Sequence, residues 1–239
     1  MAQVARLPVE GTPNPRRRLE IDIEGQTYLR LPIRTPVVTE TDDIVDVIAH
    51  YAGAEVRPGD VVFVSEKVVA ITQGRAIPVE EIRVSLLARL LWPRVAKVKY
   101  GIGLRSPYSM QCAIDECGSA RILLAAAAGA VGKLLGRKGD FYRVAGKQAA
   151  MIDAAGTAGI DAFKGSVIKG PMEPDKVAQQ IADVLSVGAA VVDVNDIGGS
   201  WAVGASRGVD RGLVEAALKD NPLGQGDEQT PCGILRRAG

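Results

Sequence analysis

Hydrophobic and polar positions change period several times along this chain, and each change marks an element. Residues 19–31 alternate closely enough to predict an antiparallel strand pair turning at Gly25. Past Arg34-Thr35-Pro36 the spacing lengthens to that of a helix. Ile44, Val47, Ile48 and Tyr51 recur on one side, Thr41 is the expected cap, and Asp42 and Asp43 stand in the first turn. The turn Arg57-Pro58-Gly59-Asp60 then delivers Val61-Val62-Phe63-Val64-Ser65, a run of buried-strand type ending in Glu66-Lys67.

Helical spacing predicts a second helix over 79–91 and a third over 109–135, broken near Gly118. Residues 124–132 are nearly all Ala and Gly, so neighbouring backbones can approach closely, a core or subunit-contact signal. Residues 140–152 read as paired strands interrupted at Gly146. Pro174 opens a helix with Val177, Ile181, Val184 and Leu185 inside. A strand at Val191, a helix over 214–218 and a terminal strand around Ile234 complete the pattern. Strands and helices mix without a βαβ cadence, which predicts an α+β fold rather than a doubly wound dinucleotide fold. Residues 1–18 are expected to be a flexible tail and 19–239 a single α+β domain.

Composition narrows the function classes. The 239 residues are 47% hydrophobic, ample for a buried core. With 29 basic against 28 acidic residues and only 4% aromatics, the chain lacks the basic stripes and stacking platforms of a nucleic-acid binder. No apolar run approaches the roughly 20 residues that span a bilayer, and the N-terminus has no apolar signal core. Cys112, Cys117 and Cys232 form no CxxC pair. These features together predict a cytoplasmic protein with neither nucleic acid nor membrane as partner.

The strongest chemical signal is Val191-Val192-Asp193-Val194-Asn195-Asp196-Ile197-Gly198-Gly199, an apolar strand ending in acids, an amide and a glycine pair. Such a strand end can hold oxygen ligands against a divalent cation, which relieves the repulsion of neighbouring carboxylates, while the glycines admit an anion to the backbone. A solvated turn is the plain alternative. Asp153, after Ala149-Ala150-Met151-Ile152, repeats the pattern, and Asp161 in Ala158-Gly159-Ile160-Asp161 is its rival. Ser65-Glu66-Lys67 followed by Gln73-Gly74-Arg75 offers a point donor and a forked donor suited to a polyphosphate, with a surface loop as the alternative. Gly224-Gln225-Gly226-Asp227-Glu228 reads as a functional loop set before an apolar strand. Gln111 and Asp115 share a helix face, whereas Gln111 and Glu116 need not, and pairing or capping is the expected role for these groups.

His50 is the only histidine, so zinc and a Ser-His-Asp triad fall away and any cation is a hard one, Mg²⁺ or Mn²⁺, held by oxygen. There is no GxGxxG, and Gly129-Ala130-Val131-Gly132-Lys133 lacks the spacing of a P-loop.

Taken in order, these segments resemble the γ-glutamyl ligases that extend the tail of coenzyme F420. The run from Asp60 through Lys67 to Gln73-Gly74-Arg75 is similar to that family's strand, lysine and Glu-Gly-Arg block. Met110-Gln111-Cys112-Ala113-Ile114-Asp115-Glu116 is similar to its central helix. Residues 141–153 resemble the stretch ending in its Asn-Ala-Gly-Ile-Asp metal motif, Val192-Asp193 the start of its Thr-Asp-Thr motif, and residues 226–235 its closing segment. The resemblance implies an intertwined homodimer that joins L-glutamate to a substrate carboxylate through an acyl phosphate, using GTP (or ATP) and a divalent metal. It implies Asp153, Asp193 and Asp196 at the metal, Ser65, Lys67, Gln73, Arg75, Gly198 and Gly199 at the nucleotide, and Lys67, Arg75 and Glu228 as catalytic groups. Where those ligases carry Gly-Arg-Pro-Trp-Arg, this chain has Gly198-Gly199-Ser200-Trp201. The lost arginines leave the acceptor open between a coenzyme F420-0-like molecule and another carboxylate such as a folate. A metal-dependent kinase on the same scaffold and a non-catalytic nucleotide-binding dimer also remain open at this point.

Overall fold

The computed structural model describes residues 17–95, 103–157, 159–195, 199–224 and 228–238. In chain order the elements are β1 (Glu20–Ile23), β2 (Gln26–Ile33), α1 (Ile44–Ala52), β3 (Val61–Ser65), α2 (Glu66–Thr72), β4 (Ala76–Pro78), α3 (Leu86–Leu91), α4 (Pro107–Cys117) and α5 (Ser119–Leu134). There follow α6 (Asp140–Ala145), α7 (Lys147–Ala150), β5 (Ser166–Ile168), α8 (Pro174–Leu185), β6 (Gly188–Asn195), β7 (Gly199–Ala205), α9 (Arg211–Leu218) and β8 (Cys232–Arg237). The architecture is α+β, and the chain divides into two compact units, one made of the segments up to Gln73 and from Pro171 onward, the other of Gly74–Gly170. Residues 1–16, most of the expected tail, lie outside the described residues.

The first unit holds a mixed six-stranded sheet in the order β1-β2-β8-β3-β6-β7. The β1-β2 hairpin turns where expected, with Glu24 at φ 51° and Gly25 at φ 82°, the left-handed pair that a two-residue turn needs. β3 and β6 run parallel, and β8 lies antiparallel to both β3 and β2. Phe63, Val192, Val214, Leu218 and Leu235 form one buried core here, each fully buried side chain contributing roughly 1.5–3 kcal/mol. Gly233 lets β8 pass under the Phe63 ring: an added Cβ would meet ring Cζ at 2.6 Å and the Leu31 carbonyl oxygen at 2.7 Å.

The second unit is mainly helical around one antiparallel strand pair, β4 with β5. Its core gathers Leu104, Met110, Ile114, Ile122 and Val167. α4 starts at Ser106, whose hydroxyl accepts from the amides of Tyr108 and Ser109, and α4 and α5 meet at 117° across Gly118. The expected break near Gly118 is therefore present. Among the described residues no single helix is long and apolar enough to cross a membrane.

Residues 140–152 form α6 and α7 rather than paired strands, divided at Gly146, because α6 packs on the small-residue face of α5. Asp43, not Thr41, caps α1: its carboxylate accepts from the amides of Val45 and Asp46 at 2.7 and 3.2 Å. The expected helix over 79–91 is a short 3-10 turn (Val79–Glu81) followed by α3, whose start is fixed by the Ser85 hydroxyl. Val184, expected inside α8, is 58% exposed.

Candidate functional site

The polarity of the sheet gathers the chemistry at one end of the first unit. β2, β3 and β6 finish there, and β7 and β8 begin there, as shown by the facing pairs Ile33 with Cys232, Val64 with Cys232, and Asn195 with Gly199. Ser65 faces Val192, so Asp193 lies one residue past the last β3 pairing, where β3 has already turned into α2. The carboxyl ends of parallel strands are where open sheets of this kind bind ligands. Ser65, Lys67, Asp193, Gly199 and Glu228, named from sequence, all stand at this end and are all half-buried. Asp196 and Gly198 lie outside the described residues.

The end is stitched by backbone. Ser65 N–H donates to the Pro231 carbonyl at 2.8 Å, Thr35 N–H to the Gln229 carbonyl at 3.0 Å, and Arg34 Nε–H to the Glu228 carbonyl at 3.1 Å. These bonds fix residues 228–231 against the ends of β2 and β3. Gly224, at φ +83°, lies under Glu228: a Cβ there would meet its carboxyl carbon at 2.5 Å. In the β6-β7 hairpin, Gly199 N–H donates to Asn195 Oδ1 at 3.0 Å, and a Cβ on Gly199 would lie 2.6 Å from Asn195 Nδ2. Gln73, named as a nucleotide contact, commits both ends of its amide to Met172, donating to the carbonyl at 3.0 Å and accepting from the N–H at 2.7 Å.

The second unit holds the remaining named residues. Arg75 precedes β4 and Lys169 follows β5, and they are joined by the bond from Lys169 N–H to the Arg75 carbonyl at 3.0 Å. Arg75 Nη2 lies 2.7 Å from Glu116 Oε1, Lys169 Nζ lies 3.5 Å from Glu116 Oε2, and Arg75 Nε–H donates to the Gly170 carbonyl at 2.5 Å. Sequence reasoning missed Lys169, although it follows an apolar strand as Lys67 does. Glu116, expected in a pairing role, is the carboxylate that Arg75 and Lys169 share. Gln111 pairs with Asp115 at 2.7 Å as its spacing predicts, its Oε1 also accepts from Ser85 N–H at 2.9 Å, and it is buried.

Asp153 is not the end of a strand. It follows α7 and forms an isolated bridge to Ile168, donating at 2.8 Å and accepting at 3.1 Å through its backbone. Asp161 opens a 3-10 turn, is 90% exposed and pairs with Lys164.

The thiols offer no nucleophile. Burial pushes Cys232 up to about 12. Burial likewise raises Cys112 to about 11, against the pull of the Lys169 ammonium and with the help of Asp115 and Glu116. Cys117 is raised as well, again chiefly by burial. A neutral thiol is a poor nucleophile and a poor metal ligand.

Side-chain oxygens at the sheet end suit a hard cation. Among the described residues no three His, Cys, Asp or Glu side chains are arranged to hold a metal ion by themselves.

Comparison with known proteins gives the same direction. The family described as F420-0:Gamma-glutamyl ligase matches residues 32–207. No curated protein matches the chain. With about three-quarters of its length covered by that match, the chain belongs to the F420-0:gamma-glutamyl ligase family.

Proposed function

We propose that the protein is a nucleotide- and divalent-cation-dependent ligase that adds L-glutamate to a substrate carboxylate. The family match supports the reaction class. The observation that carries the reading is the convergence of Ser65, Lys67, Asp193 and Glu228 on one end of one sheet. Asp193 would hold Mg²⁺ or Mn²⁺, which when bound neutralises charge on the phosphates of GTP or ATP. Lys67, as a compact point charge beside Ser65, holds phosphate oxygens, and the backbone around Gly199 can approach them closely.

The acceptor carboxylate takes the γ-phosphoryl group, releasing the nucleoside diphosphate. The glutamate amine then attacks the acyl carbon, and inorganic phosphate leaves as the C–N bond forms. Glu228, held over Gly224, receives the proton released by that amine. Positioning supplies most of the acceleration in such a transfer. The acceptor is a coenzyme F420-0-like carboxylate or another such as a folate, because the β6-β7 hairpin carries Gly199 and Ser200 where the related ligases carry arginine.

Of the two aspartates of the second unit named from sequence as cation ligands, Asp161 becomes the preferred one. The strand end that favoured Asp153 is absent, and Ala158-Gly159-Ile160-Asp161 reproduces four residues of the family's metal motif. The working enzyme is taken to be a homodimer. Incubation with GTP or ATP, Mg²⁺, L-glutamate and each acceptor, read by mass spectrometry, tests the reading. An acceptor heavier by one glutamyl residue supports it. A phosphorylated acceptor that persists in the presence of glutamate identifies a kinase instead.

A further inference from the structure

The β4-β5 pair carries two cations in register. Ala76 faces Ile168 across this antiparallel pair, so the next positions outward are Arg75 and Lys169, joined by the bond from Lys169 N–H to the Arg75 carbonyl. Residues opposite one another send their side chains to one face, where like charges repel. Glu116 of α4 meets both, Arg75 at 2.7 Å and Lys169 at 3.5 Å. One carboxylate between two cations leaves a positive charge uncompensated, in a place where Arg75, Glu116 and Lys169 are only 14%, 13% and 19% exposed. The unit around them is itself basic, with 15 Lys and Arg against 7 Asp and Glu over Gly74–Gly170, so its field favours an incoming anion.

Donors are left over at the same place. The Arg75 guanidinium is fixed by two bonds, Nε–H to the Gly170 carbonyl and Nη2–H to Glu116 Oε1, and Gly170 is pressed so closely against Met151 that a Cβ there would lie 2.6 Å from Met151 Cβ. Among the described residues Arg75 Nη1 has no hydrogen-bond partner. Lys169 Nζ has three protons to donate, and its one partner among those residues is Glu116 at 3.5 Å. A held fork and an under-bonded ammonium on one face, short of one negative charge, are the parts of an oxyanion receptor.

We propose that Arg75 and Lys169 together bind a carboxylate group of a substrate. A carboxylate brings the single negative charge that is missing and two oxygens for the two donors. The polyphosphate that the resemblance assigned to Arg75 brings several charges, and Glu116 would repel the surplus. The inference rests on the ligase reading and gives it a substrate contact. When the glutamate amine attacks, both glutamate carboxylates are spectators that have to be held, and an acidic acceptor carries others.

Calorimetric titration of the full chain, with Mg²⁺ and a non-hydrolysable GTP or ATP analogue present, tests the inference. Lys169→Met removes the charge and keeps the length of the side chain. It is expected to fold as the wild type by circular dichroism and to bind L-glutamate about tenfold or more weakly, with Lys169→Arg recovering most of the loss. The two monoamides, L-glutamine and L-isoglutamine, identify the carboxylate: the one lacking the gripped group should bind wild type and Lys169→Met alike. A loss confined to coenzyme F420-0 or a folate assigns the carboxylate to the acceptor. Unchanged affinity for glutamate and both acceptors overturns the site, as does a loss confined to the nucleotide or one shared equally by every ligand, monoamides included. In those cases a wild type that still adds glutamate by mass spectrometry leaves the ligase reading standing. A wild type that binds neither glutamate nor an acceptor overturns both.

Discussion

Arg75 and Glu116, 41 positions apart in the chain, meet in a 2.7 Å ion pair with side chains only 14% and 13% exposed. Lys169 shares the same carboxylate. Removing that charge leaves two cations adjacent in a largely dry setting. Glu116→Gln is therefore expected to lower the unfolding free energy by about 1–2 kcal/mol in urea titration. A midpoint and slope unchanged from wild type would show the triad to be only a surface pairing.

Gly224 lies beneath Glu228 in a left-handed conformation. Gly224→Ala should destabilise the protein by about 1 kcal/mol and, by displacing the carboxylate, lower kcat more than it raises KM for glutamate. Steady-state kinetics check this. A KM effect alone would place Glu228 in binding rather than proton transfer.

Cys232 gives the alkaline limb of stability a definite sign. Burial holds its thiol near 12, against roughly 8.5 in an unfolded chain. Its contribution is complete below the unfolded value and is lost as pH rises from there toward the folded one, because only the unfolded chain readily ionises. Cys232→Ala should flatten the fall in stability above about pH 9, measured by unfolding at several pH values. An unchanged alkaline slope contradicts the assignment.

Asp161 and Asp153 can be separated by metal dependence. Asp161→Asn should raise the Mg²⁺ concentration needed for half-maximal activity about tenfold or more, with little change in thermal stability, since the side chain is 90% exposed. Asp153→Asn should shift stability more than metal requirement. The reverse pattern would restore Asp153 as the ligand.

Local signals were legible where one residue or a short run decides the outcome. Gly25 turned its hairpin, Pro174 opened α8, and the apolar runs at Val61 and Val191 became neighbouring parallel strands. Residues 140–152 misled because Phe141, Tyr142 and Val144 carry β propensity, while docking against Gly129 and Gly132 of α5 makes them helical. That override is tertiary and has no local mark. Much of the candidate site could be read from acids and lysine placed just after apolar runs. Lys169 and the partners of Glu116 could not, because their meeting depends on how α4 and the β4-β5 pair come together.

Nucleotide-driven ligation at the Asp193 end of the sheet makes a sharp biochemical prediction. Its most direct test is nucleoside diphosphate release by wild type and Asp193→Asn, with Mg²⁺, GTP or ATP and coenzyme F420-0 or a folate, with and without L-glutamate. Sustained release by the wild type is expected only when glutamate and an acceptor are both present. Asp193→Asn, with its fold intact, should lose at least a hundredfold, on the order of 3 kcal/mol. Release that ignores glutamate, or an Asp193→Asn protein as active as the wild type, would contradict it.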